Sequence, residues 1–444
     1  MQVQETLRKT DETSRGGAAE GSTPNPPDRG TDELVLDFGG AIGNGALVLS
    51  LPVLTAYFFF CWRFNDGALW PGGGADWSGW LYALVPTPEA AVFYAGWFLF
   101  QAALQQFLPG REVEGTELPG GGRLSYRMNG LASFLVTAAL AIGLHLSGIF
   151  DLRFLHDEFG ALITVTTLWS FLFSAWLYRF GKATDPRHLS GQPVRDFFMG
   201  TGHNPRLGGF DLKLFCEARP GLMLWMLINV GFASVQYDRY GFVSTSMTLV
   251  LILQLSYVAD YFFNEPAILT TMDIKHENFG FMLVFGDLVW VPFTYCLQAA
   301  YLVDHVHDLP WWAAVLIVAL NFIGLAIFRT VNRQKDRFRR DPEGAKIWGK
   351  KAEYIETKQG SRLLLSGFWG WSRHFNYVGD LLMALSWSLP CGFGSLLPYF
   401  YPAYFAALLV HRERRDHIFC KRKYGADWDR YCDRVRWRIL PFVY

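Results

Sequence analysis

Residues Trp311-Trp-Ala-Ala-Val-Leu-Ile-Val-Ala-Leu-Asn-Phe-Ile-Gly-Leu-Ala-Ile-Phe328 form an apolar run broken only by Asn321, and Arg329-Thr-Val-Asn-Arg-Gln-Lys-Asp-Arg-Phe-Arg-Arg340 follows it at once. A hydrocarbon layer about 30 Å thick is crossed by about 20 mostly apolar helical residues, so the run predicts a span and the basic stretch predicts its water boundary. Comparable runs lie at 45–63, 89–109, 128–150, 159–178, 220–238, 242–264, 279–303, 310–328, 375–397 and 398–411. The last two read as a helical hairpin, because Pro390, Gly392, Gly394 and Pro398 interrupt one long apolar stretch. The expectation is an all-α polytopic membrane protein with about ten transmembrane helices.

Composition agrees. Of 444 residues 51% are hydrophobic and 17% aromatic, while 18% are charged, below the roughly 25% of a soluble chain. Forty basic residues balance forty acidic ones, and no nucleic-acid partner is expected from net charge. Their distribution is lopsided: in the ten-span parse, Arg63, Arg153 and Arg239 are the sole Lys or Arg on one side, and the other thirty-seven fall on the opposite side. The positive-inside rule then places both termini in the cytoplasm. Residues 1–40 are polar and rich in Gly, Pro and Ser, which predicts a disordered tail without a removable signal peptide, followed by one domain over 41–444. Cysteines 61, 216, 296, 391, 420 and 432 have neither C-x-x-C nor zinc spacing, so no disulfide framework and no metal site are expected.

Four polar, aromatic stretches on the basic side exceed what connectors require: 196–221, 332–339, 363–380 and the segment from His411-Arg-Glu-Arg-Arg-Asp416 to Pro441. Arginine forks suit phosphate and aromatic faces suit a flat heterocycle, so a phosphorylated nucleotide is one reading and anionic headgroup contact is the other. Lys335 and Arg339, four apart, share a helix face. No G-x-G-x-x-G follows a strand, which excludes a recognisable Rossmann domain. Ionisable groups within spans are costly and mark function: Asp260 and Glu265 flank Tyr257 and Tyr261, Asp287 lies in the seventh span and Asp380 opens the ninth. His145 reads as a core imidazole bonded to a carbonyl.

Two long motifs, Asp196-Phe-Phe-Met-Gly200 with Asn204-Pro-Arg206, and Leu364-Leu-Ser-Gly-Phe-Trp-Gly-Trp-Ser-Arg-His-Phe-Asn-Tyr-Val-Gly-Asp380, resemble the signatures of the membrane sterol reductases. That family includes the Δ14-sterol reductases, the 7-dehydrocholesterol reductases and the membrane domain of the lamin B receptor. Asp273-Ile-Lys-His-Glu-Asn-Phe-Gly280, Gly286-Asp-Leu-Val-Trp-Val-Pro292 and Leu397-Pro-Tyr-Phe400 match too, and the resemblance, over about 40–444, is strongest to the Δ14 branch. It implies a ten-helix NADPH-dependent oxidoreductase of sterol biosynthesis whose region 329–444 forms the NADPH pocket and whose sterol enters from the bilayer. Carried over, the cofactor contacts are Lys335, Arg339, Leu364, Trp369, Asn376, Tyr377, Asp416, Cys420 and Tyr424. Arg373, His374, Arg412 and Arg415 join them on charge alone.

Such an enzyme must protonate its alkene before hydride arrives, at C15 and C14 respectively in the Δ14 case. Tyr257 and Asp260 are the leading proton-donor region, with Asp287 and Asp380 behind them. The alternatives are a Δ7-sterol reductase, an isoprenylcysteine carboxyl methyltransferase-like enzyme, which Arg373-His374 and Tyr377-Val-Gly379 also resemble, and a non-catalytic receptor. The partners are the sterol substrate and membrane lipids, in the endoplasmic reticulum if the source is eukaryotic or the inner membrane if bacterial. Oligomeric state is not legible.

Overall fold

A computed structural model describes residues 38–72, 75–117, 122–184 and 189–444, so the disordered-tail expectation lies almost wholly outside the described residues. In chain order the main helices are α1 (Gly40–Arg63), α2 (Trp77–Ala83), α3 (Pro88–Phe107), α4 (Gly130–Leu146), α5 (Phe159–Thr184), α6 (Pro220–Tyr240) and α7 (Thr245–Phe263). The broken segment Phe281–Asp304 comes next, then α8 (Trp311–Arg340), α9 (Asn376–Ser388), α10 (Phe400–Tyr424) and α11 (Ala426–Arg434). Every apolar stretch named above carries helix.

Local chemistry sets the boundaries. Thr87 accepts the amide of Ala90 and Pro88 opens α3, while Ser244 caps α7 through Met247 N; both satisfy amides that helix geometry orphans. Gly241 closes α6 at φ 77°, a left-handed position that a side chain resists. The broken segment holds a π-helical turn over Gly286–Trp290, a form frequent at functional sites.

Among the described residues six helices are long and apolar enough to cross a membrane, or seven if α2 and α3, bent by 48°, make one span. α4 is a shorter apolar helix, and α9 has 13 residues. The apolar part of α10 continues without a break into its charged half, so the basic run after 411 is helix and not tail. The purely helical expectation also missed four small antiparallel ladders: β1–β2 (Arg111–Glu117, Arg123–Met128), β3–β4 (Arg206–Leu207, Phe210–Asp211), β5–β6 (Lys346–Ile347, Lys350–Lys351) and β7–β8 (Tyr354–Glu356, Arg362–Leu364). All lie in loops, where backbone groups without helical partners pair with each other.

Several loops that the charge count placed on one side touch one another. On the basic face Arg206 donates to Ser125 O (3.0 Å), Gly130 N to Glu265 (2.8 Å) and Arg412 to Asp273 (2.9 Å). On the other face Arg153 pairs with Asp238 and Arg239 with Asp304. His145 departs from expectation: it is half-buried at the end of α4, and its Nδ1 takes the Leu152 amide at 3.3 Å.

Candidate functional site

α8 and α9 cross where neither carries a side chain: a Cβ on Gly324 would meet Gly379 O at 2.7 Å, and one on Gly379 would meet Gly324 O at 2.6 Å. That approach puts the polar extension of α8 beside the start of α9. The indole of Trp369 donates to Val331 O (2.9 Å) and the Phe368 amide to Gln334 Oε1 (3.1 Å), which docks the turn Gly367–Gly370 on α8. Lys335 Nζ then stands 4.1 Å from the Trp369 ring centroid, a cation–π geometry. Beneath it Val331, Phe338, Ile347, Leu364, Trp369 and Phe375 form a buried apolar cluster.

His374 stacks on Tyr377 with centroids 4.9 Å apart and reaches Asp416 of α10 at 3.4 Å. Cys420, one turn further on, donates to the same carboxylate at 3.8 Å. Burial works against the Asp416 charge, but His374 and Lys335 more than offset it and hold the carboxyl below its usual range. Burial with the neighbouring Asp416 pushes the Cys420 thiol up to about 12, so it is a neutral donor and not a nucleophile. The segment after α11 fastens this cap: Arg373 N and His374 N donate to Trp437 O and Arg438 O (3.0 and 2.9 Å), Ser372 Oγ to Ile439 O (2.7 Å), and Arg438 to buried Glu413 (3.0 Å).

Inside the bundle Tyr257 is half-buried, its ring 5.1 Å from Trp387, which in turn meets Trp225 (5.7 Å) and Tyr401 (5.2 Å). Asp260 and Asp380 both lie within electrostatic reach of Tyr257. Asp260 is committed: Arg329 of α8 pairs with it and Asn264 donates to it at 3.3 Å. Asp287 sits on the π-helical turn with a buried oxygen that has no hydrogen-bond partner, and Glu217 has another. α6 presses against that turn so closely that a Cβ on Gly221 would overlap the Asp287 carbonyl oxygen. Arg412 links the two regions, since it donates to Asp273 and acts electrostatically on Tyr377, Asp380 and Glu217.

Of the residues singled out from sequence, Lys335, Trp369, Tyr377, Asp416 and Cys420 gather in the cap. Asn376 opens α9 with an unpartnered buried Oδ1. Arg339 is exposed beyond Lys335, Leu364 packs within the apolar cluster, and Tyr424 stacks on Trp428 at 6.4 Å. Arg373 turns away, towards Cys432, His417 and Arg436 O, and Arg415 pairs with Glu277. Glu265 is structural, held by Arg219 at 2.7 Å. Sequence reading named Tyr261 beside Tyr257 but passed over Glu217 and Arg329. The signal for Arg329 was Asp260 itself, because a carboxylate at that depth requires a cation.

These features define a polytopic membrane protein whose polar interior is closed, on its basic face, by a cation–aromatic cap. The chain belongs to the ergosterol biosynthesis ERG4/ERG24 family, whose profile matches residues 32–444. It is 52% identical over 401 residues, 90% of this chain and 94% of the relative, to a protein of Methylotuvimicrobium alcaliphilum named Delta(14)-sterol reductase. It is 47% identical over 423 residues, 91% of each chain, to the Delta(14)-sterol reductase of Dictyostelium discoideum. With Delta(14)-sterol reductase TM7SF2 of Mus musculus it shares 45% over 428 residues, 94% of this chain and 99% of the relative.

Proposed function

We propose that this chain is a Δ14-sterol reductase that uses NADPH to reduce the C14=C15 bond of an 8,14-diene sterol. The observation that carries the reading is identity of 45–52% along nearly the whole chain to proteins of that name. All ten apolar stretches are read as crossings, with the basic face cytoplasmic.

The cap suits a phosphorylated nicotinamide cofactor. Lys335 makes no ion pair among the described residues and rests on Trp369, Arg339 is exposed beside it, and Asn376 offers a buried carbonyl oxygen lacking a donor. Lys335 and Arg339 would hold phosphate, and Trp369, Asn376, Tyr377 and Asp416 the ring and ribose groups, with Leu364, Cys420 and Tyr424 closing the wall. When bound, NADPH supplies a hydride.

The chain itself must supply a proton and exclude water. Tyr257 is the leading donor: its O–H breaks as a C–H forms at C15, leaving a cation at C14. The faces of Trp225 and Trp387 can stabilise that charge. Asp287 and Asp380 stand behind Tyr257 as proton sources, whereas the ion pair with Arg329 suits Asp260 to positioning. Incubating membranes that contain the protein with NADPH and an 8,14-diene or a 5,7-diene sterol, then weighing products by mass spectrometry, tests the reading. Gain of two mass units on the 8,14-diene alone is expected; reduction of the 5,7-diene alone overturns it.

A further inference from the structure

The turn of the β5–β6 hairpin displays a tryptophan where backbone chemistry disfavours one. Ile347 pairs with Lys350, which leaves Trp348 and Gly349 as the two central residues, at φ 51° and 79°. Two-residue turns of this kind favour Asn-Gly or Gly-Gly, and a bulky residue at positive φ is retained only where something requires its side chain. Burial does not supply that reason, because Trp348 is 56% exposed and its neighbour Trp371 is 50% exposed. The two rings lie 5.6 Å apart, and both meet Phe368 at 5.2 Å.

Depth and charge indicate what the indoles face. Gly367 closely approaches both Ile347 and Gln334, so the hairpin stands level with Gln334 on α8. Gln334 is six residues beyond Phe328, where the apolar run ends, a rise of about 9 Å at about 1.5 Å per residue. The headgroup layer extends about 5–8 Å beyond the hydrocarbon, within reach of a long indole. Glu343 is taken by Arg362 (2.9 Å) and Lys351 (3.7 Å). Lys346 and Lys350 are exposed and pair with no carboxylate among the described residues.

We propose that this hairpin is an anchor for anionic phospholipid: Trp348 and Trp371 sit among the headgroups while Lys346 and Lys350 draw in anionic ones. Tryptophan favours that layer, and each lysine near an anionic surface strengthens attachment of its segment to that surface about fivefold. Ile347 belongs to the apolar cluster that holds Trp369, so the anchor also ties the cap to the membrane surface. The inference goes beyond the sterol reaction and uses only the membrane boundary at the end of the apolar run of α8.

The full chain carrying p-benzoylphenylalanine in place of Trp348, in nanodiscs of phosphatidylcholine with roughly one-third phosphatidylglycerol, provides the test. After irradiation, mass spectrometry is expected to find lipid adducts in which the ratio of phosphatidylglycerol to phosphatidylcholine is roughly fivefold or more above the bulk ratio. Adding Lys346→Gln and Lys350→Gln should return the ratio towards bulk, with turnover in detergent unchanged, which shows that the variant is folded. Absence of lipid adducts, adducts to protein alone, or a ratio at the bulk value with both lysines present would overturn the proposal. The same photoprobe in place of Trp371 should repeat the pattern, and failure there counts equally against it.

Discussion

The cap and the interior of this molecule both hold ionisable groups away from water, yet they handle them in opposite ways. In the cap each anion has a cation beside it: Asp416 has His374 and Lys335, with Cys420 donating to it, and Glu413 has Arg438 and Tyr444 on Oε2, although its Oε1 is unpartnered. In the interior Glu217 and Asp287 each keep a buried oxygen with no partner. Satisfied charges are fixed in place, which suits a region that must recognise a ligand of constant charge. An unpartnered buried carboxyl is easily neutralised, which suits a region through which a proton passes. Asp260 is the exception that sharpens the contrast, since Arg329 gives it the treatment found in the cap.

The sharpest way to break the comparison is Tyr257→Phe. Loss of a general acid is expected to lower kcat about 100-fold to 10,000-fold while sterol and NADPH binding, followed by equilibrium titration, stay intact; full turnover would remove Tyr257 as donor. A cap substitution should do the reverse. Lys335→Met is expected to raise the KM for NADPH about 10-fold to 100-fold with the KM for sterol unchanged, and steady-state kinetics with each substrate varied separates the two. Equal effects on both KM values would show that the regions are not distinct.

Smaller effects probe the packing that holds the regions apart. Gly221→Ala forces a methyl into the Asp287 carbonyl and should cost about 1–3 kcal/mol, measured as a lower thermal midpoint in detergent. The smallest effect is a pH dependence. Because the Asp416 carboxyl is held below its usual range, its contribution to stability is present above about pH 4 and is lost as pH falls through the folded value. Asp416→Asn should therefore flatten the acid limb of thermal midpoint against pH. An unchanged limb would mean that His374 and Lys335 do not hold this charge.

Much of the architecture was legible because membrane solvation acts on local sequence. A run such as 311–328 must be helical in lipid whatever its neighbours are, since no water is there to satisfy its backbone. The break at Pro390 and Gly392 was legible for the same local reason. The ladder at Lys346–Lys351 was not, because its strands have two residues each and give no periodicity to read. Cap residues were found in sequence through Arg, Lys and aromatic density and through likeness to family signatures. Glu217 was missed because it lies in the polar stretch 196–221 among Asp211, Lys213 and Arg219, where one more charge looks like a boundary marker.

The order of apolar and basic stretches by itself determined that the chain lives in a membrane and which basic segments could meet a phosphate, because burial in lipid and charge at its edge are properties of contiguous residues. Only the tertiary structure decided that Arg329 neutralises Asp260, that Arg373 is spent on Cys432 and His417, and that Arg412 stands between cap and interior. These partners are 69, 59, 44 and more residues apart in the chain. Whether a charge is paired or stranded depends on what crosses beside it, and close crossings such as Gly324 against Gly379 are set by packing between distant helices.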